Sequence, residues 1–286
     1  MVKIFLSLLL LITFSFAEVE TNQEEYVVQE VELLAQKIES FLGTQEYNKK
    51  LNFINVIFEP KSSYYKNERV DVIKVVKTLE DNGLLRLFFK SPREIHLHFE
   101  TSGSPLFFVK LMGDALRNIG YYRYVTTASS LDAEAFSWSI SLSSEYATDP
   151  LVLQNELKKS GCSIIDIQRK SATEWIYVVD MVGGYLNLPE LKQSQELKLK
   201  HSLYAHWLNC SNIEKLKIRS SRRNHWYPYI AYYDTSLHLL KVIKKDEIRS
   251  KIVLNIPKRA KYMKISDLYT LKNVKDELVL TSYGRR

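Results

Sequence analysis

The chain has 286 residues, a formal net charge of +7 and 45% hydrophobic residues, enough for two or three packed domains. Nine glycines is a low count for this length. It argues against sites built from backbone alone and for regular packed elements.

Residues 1–17 read as a secretory signal peptide. Lys3 is followed by an almost wholly apolar run, and Ser15-Phe16-Ala17 ends it with small residues at the −3 and −1 positions. An uncleaved N-terminal anchor is the competing reading. Export places the mature chain in the periplasm, with secretion to the cell exterior as the alternative. Residues 18–43 hold one helix candidate. Over residues 24–42, Val27, Val31, Leu34, Ile38 and Phe41 keep one apolar stripe, and Gly43 ends it. That stripe packs on a neighbouring sheet or pairs two copies of the chain, which would give a homo-oligomer.

Three glycines then mark a repeat. Gly83, Gly120 and Gly161 each follow an apolar-periodic helix (residues 70–81, 105–119 and 151–157) and each precedes strand-like sequence. A residue closing a helix often needs positive φ, which glycine adopts without strain. Asp149 is an N-cap candidate for the third helix. Residues 53–58 read as a leading strand, with further strands at 84–90, 94–100, 121–128 and 136–142. Residues 44–130 therefore spell βαββαβ, the ferredoxin-like order, and residues 131–188 spell a shorter αββ module preceded by one strand.

Gly183-Gly184 to Pro189 breaks the periodicity. Helical spacing disappears after it. In residues 189–286, seven short alternating runs recur at roughly ten-residue intervals, the pattern of an antiparallel β-sandwich of Ig-like size. The fold class expected is therefore α+β followed by an all-β sandwich.

Charge divides at the same place. Residues 191–286 carry 21 Lys and Arg against 8 Asp and Glu, a net of +13, whereas residues 18–190 carry 18 against 25, a net of −7. A basic C-terminal domain suits an anionic polymer or membrane surface. Nucleic acid is disfavoured by the export signal. Within it, Arg222, Arg223, His225, Trp226, Tyr227 and Tyr229 put cations beside aromatic rings, a combination that stacks on sugars or grips anions. A core strand explains the same residues without a ligand.

Cys162 and Cys210 are the only cysteines. In an oxidising compartment a pair is usually bonded, and closing a loop of about 50 residues would contribute roughly 4 kcal/mol. Burial of Cys162 in its own sheet is the competing reading. His96 and His98 share one strand face but lack an identifiable third ligand, so no metal or other cofactor is expected. No phosphate-cradling glycine loop, His-Glu-x-x-His helix or nucleophile elbow occurs. The chain is not expected to be an enzyme.

The element order of residues 51–181, with its helix–Gly–strand joins, resembles tandem ferredoxin-like or POTRA-like modules of bacterial envelope proteins. That resemblance implies protein–protein docking, often by edge-strand pairing. The expected function is a non-enzymatic interaction or scaffold protein of an envelope assembly, with an envelope protein as partner. The alternative is a glycan or cell-wall-polymer binder using the basic aromatic domain.

Overall fold

The computed structural model describes residues 32–132 and 135–284. The signal peptide, and Val27 and Val31 of the expected stripe, lie outside the described residues. The described chain is mixed α+β, with mostly antiparallel sheets. It divides into two compact units. The first takes the described residues of Met1–Ser102, Ala115–Lys158 and Cys162–Met181; the second takes those of Gly103–Asp114, Lys159–Gly161 and Val182–Arg286.

The first helix, α1 (residues 32–42), buries Leu34, Ile38 and Phe41, which are the described part of the expected stripe. Gly43 turns the chain at φ 81° into α2 (Thr44–Ile57). The strand expected at residues 53–58 is therefore a correction. Those residues finish α2, because no glycine or proline interrupts the chain between Thr44 and Pro60. A small hairpin follows, β1 (Tyr65–Lys66) and β2 (Arg69–Val70), whose turn residues Asn67 and Glu68 have φ of 51° and 61°. Next, α3 (Val72–Asp81) is capped by Asp71, whose carboxylate accepts from Lys74 N–H at 3.1 Å.

The strands expected at residues 84–90 and 94–100 are one strand, β3 (Phe88–Thr101). Pro92 lies between the two expected strands and has no backbone N–H to give the ladder. The ladder absorbs it through a register shift between Phe88 and Arg93, and the strand runs on. α4 (Pro105–Asn118), β4 (Val125–Leu131) and β5 (Phe136–Tyr146) come next. They are followed by α5 (Pro150–Lys158), β6 (Ser163–Arg169) and β7 (Glu174–Asp180). Asp149 caps α5 as expected, accepting from Leu151 N–H at 2.8 Å.

One five-stranded sheet, in the order β4-β5-β3-β7-β6, takes strands from both of the modules expected at residues 44–130 and 131–188. β3 is central, antiparallel to β5 and parallel to β7. Its odd-numbered residues Ile95, Leu97 and Phe99 are fully buried, and Phe99 sits directly opposite Trp138 on one side and Tyr177 on the other. The rings follow at centroid distances of 5.8 and 5.7 Å, and Trp175 and Phe41 extend the row at 6.4 and 6.2 Å.

The second unit contains eight strands where seven were read, because the first run splits in two: β8 (Glu196–Leu199) and β9 (His206–Asn209). β10 (Ile213–Ser220), β11 (Pro228–Tyr233), β12 (Leu239–Lys244), β13 (Lys251–Asn255), β14 (Tyr262–Asp267) and β15 (Leu278–Gly284) complete it. They form two four-stranded antiparallel sheets, β13-β10-β15-β8 and β12-β11-β14-β9. Leu216, Ile218 and Leu280 of one, with Ile230, Tyr232 and Ile265 of the other, share one buried cluster.

All three repeat glycines have positive φ: 67° at Gly83, 101° at Gly120 and 70° at Gly161. Only Gly161 is also sterically closed, since a Cβ there would lie 2.8 Å from the Gly183 carbonyl oxygen and 3.2 Å from the Tyr185 ring. Gly120→Ala is expected to lose about 1 kcal/mol from backbone strain alone. Gly161→Ala is expected to lose a further 1–3 kcal/mol, roughly, from overlap. Urea denaturation of the two variants checks that order.

Candidate functional site

The two edges of the five-stranded sheet differ. At one edge, β6 carries charged side chains that are already engaged. Asp166 pairs with Lys37 of α1 at 2.6 Å, and Arg169 Nη1 donates to the Phe41 carbonyl at 2.5 Å. The end of α1 therefore guards that edge. At the other edge, β4 pairs only with β5 among the described residues, and all seven of its residues are exposed. Its sequence, Val-Thr-Thr-Ala-Ser-Ser-Leu, contains no charge and no proline. Charges, prolines and covering segments are the usual protection of a sheet edge. β4 has one bulge, where Thr127 drops out of the register between Thr126 and Ala128. Trp138 Nε1 donates to Thr126 Oγ1 at 3.1 Å and ties the strand to the aromatic row. The result is a row of backbone donors and acceptors on a fixed scaffold, open to an extended peptide.

A cleft of about 460 Å³ lies elsewhere in the same unit, lined by Glu80, Phe88, Tyr121, Tyr146 and Asp149. Burial pushes the Glu80 carboxyl up to about 7, helped by the neighbouring charges of Asp149 and Asp81. Phe88 and Tyr146 stand exposed at its mouth with centroids 5.1 Å apart. The Glu80 carboxyl holds a proton near neutral pH.

The basic aromatic stretch of the second unit is dispersed by the fold. Trp226 is 0% exposed and its Nε1 donates to the Ser266 carbonyl at 2.9 Å, so it offers no face to a ligand. Arg223 is spent on Asp276, at 2.7 Å. Tyr227 packs edge-on against Tyr269, and Tyr229 lies under Lys244 and Lys264 at 5.6 and 6.0 Å. Lys264 and Lys110 lie over Trp207, continuing a ladder of stacked cations and rings. Of the six, Arg222 and His225 are the exposed side chains without such a partner among the described residues. Sequence reasoning missed Trp207 and the ladder, because cross-strand pairing from β9 and β14 assembles it.

Cys162 and Cys210 are both buried and stand as thiols. Burial pushes the Cys162 thiol up to about 11, which suppresses the reactive thiolate. No group of three metal-ligating side chains occurs among the described residues. No helix among them is long and apolar enough to cross a membrane.

Three outcomes are expected. Trp226→Ala loses about 3–5 kcal/mol of stability, read by denaturant melting, because it empties a core site. Alkylation of native, unreduced protein leaves both cysteines unmodified, and alkylation after unfolding gives two adducts by mass. A raised carboxyl favours the folded state fully below its unfolded value and loses that advantage as pH rises through about 7. Acidification from pH 8 therefore stabilises, and Glu80→Gln stabilises at pH 8 but not at pH 5. The full shift would correspond to roughly 3 kcal/mol, which solvent screening of this half-exposed group reduces to about 1 kcal/mol. No protein-family model matches the chain, and no curated protein matches it either.

Proposed function

We propose that this is a non-enzymatic exported interaction protein of a bacterial envelope assembly, which docks an extended segment of a partner protein along β4. The single observation that carries this reading is the asymmetry of the sheet edges: β6 is engaged by α1, whereas β4 is uncharged, exposed along its whole length and, among the described residues, paired on one side only. An added strand gains affinity from main-chain hydrogen bonds and specificity from alternate side chains. The leader-like sequence of residues 1–17 supports export. The order β4-β5-β3, which sets the parallel strands β3 and β4 on either side of β5, supports the ferredoxin-like or POTRA-like reading of the first unit. The hairpin β6–β7 in place of a single closing strand departs from that pattern. The two four-stranded sheets around one shared cluster support a β-sandwich reading of the second unit. Glycan binding by that unit has less support, since its main stacking platform, Trp226, is buried.

A photocrosslinking residue at Thr127 of the full-length protein, expressed in a bacterium with an intact envelope, is expected to give one discrete adduct with an envelope protein. The same probe at Gln168, on the guarded edge, is expected to give none. Thr127→Lys is expected to weaken capture of that partner about tenfold by charging the edge. Equal adducts at both positions, or none at Thr127, reject the docking edge. Amino-terminal sequencing of the exported protein is expected to begin at Glu18; a start at Met1 in the cytosol rejects export.

A further inference from the structure

The first unit belongs to the acidic half of the sequence, yet it contains a basic cleft of about 600 Å³. Five cations line it, Lys66, Arg69, Lys74, Lys77 and Lys158, against two carboxylates, Asp71 and Asp180. Two of the five are held within the fold: Lys74 Nζ donates to the Ser63 carbonyl at 2.8 Å, and Lys77 pairs with Asp81 at 2.7 Å. Asp71 is occupied in part by capping α3. Lys66 and Arg69 face each other across the β1–β2 hairpin, and Lys158 closes α5; all three are exposed.

Exposed lysines alone do not define a site. The floor of the cleft adds a different kind of group. Gln154 lines it and is only 4% exposed. Its Oε1 accepts from Ile164 N–H at 2.6 Å, which fixes the orientation of the amide, because only the oxygen can accept. That is the one hydrogen bond its side chain makes among the described residues. The Nε2 group is left as a donor in the cleft without a protein acceptor. This nitrogen is not one of the buried side-chain atoms left without a partner, so it meets solvent within the cleft. Here the acceptor it lacks matches the charge its surroundings select.

We propose that this cleft binds a phosphoryl group, with Gln154 Nε2 donating to a phosphate oxygen from the floor while Lys66, Arg69 and Lys158 neutralise its charge from the rim. Arg69 supplies the planar fork that suits a phosphate, and the lysines act as mobile point charges. The volume leaves room for more than the phosphoryl group itself. A soluble phosphate ester and a phospholipid headgroup share this chemistry.

The test uses the full mature chain in low-salt buffer. One arm titrates inorganic phosphate calorimetrically; the other measures co-sedimentation with phosphatidylglycerol vesicles against phosphatidylcholine vesicles. Lys66→Ala/Arg69→Ala changes exposed positions only, so its melting temperature should match the parent, and its affinity should fall about tenfold. Gln154→Glu keeps the acceptor for Ile164 N–H but replaces the donor with a carboxylate, and binding should vanish. Phosphate binding that both variants weaken supports the site with a soluble ligand. Vesicle binding that both weaken, without phosphate binding, supports it with a headgroup. Binding in neither arm, or binding that the variants leave unchanged, overturns it.

Discussion

The row of rings across the five-stranded sheet is the interaction on which the first unit depends. Phe99 of the central strand lies opposite Trp138 on its antiparallel neighbour and Tyr177 on its parallel one. Aromatic pairs contribute about 0.5–1.5 kcal/mol beyond the area they bury. Direct cross-strand placement also fixes register, since a slip of one residue would turn every ring to the other face. The row reaches α1 through Trp175 and Phe41 and reaches β4 through the Trp138–Thr126 hydrogen bond. The guarded edge and the bare edge are therefore held by the same core.

That arrangement explains how an undefended strand can be presented without collapsing. β4 contributes no buried residue of its own. It is positioned by its ladder to β5 and by one indole N–H, and its outer side has no strand partner among the described residues. The other edge shows what the same sheet does when an edge is to be closed. There, a helix end supplies a lysine to one carboxylate and a carbonyl to one guanidinium.

The second unit spends its aromatic and cationic residues differently. Alternation along β11 sends Ile230 and Tyr232 into the shared core and leaves Tyr229 beneath lysines on the other face. Trp226 precedes the strand and fills the core. Composition shows that cations and rings are abundant here. Which of them satisfy one another is settled by the partners that β9, β12 and β14 bring alongside.

Local chemistry was legible in the sequence wherever the physical cause is local. The helix–glycine joins at Gly83, Gly120 and Gly161, the Asp149 cap and the alternation of the C-terminal strands follow from φ preference, capping and the two-residue period of a strand. Residues 53–58 differ from the expected strand because a short apolar run suits a strand or a helix equally, and the uninterrupted chain from Thr44 makes them the end of α2. The merging of two expected modules into one sheet, the bareness of β4 and the cleft above Gln154 all depend on contacts between residues distant in sequence. Pairing of β3 with both β5 and β7, across separations of about 40 and 80 residues, is a choice among many ladders that no local pattern encodes.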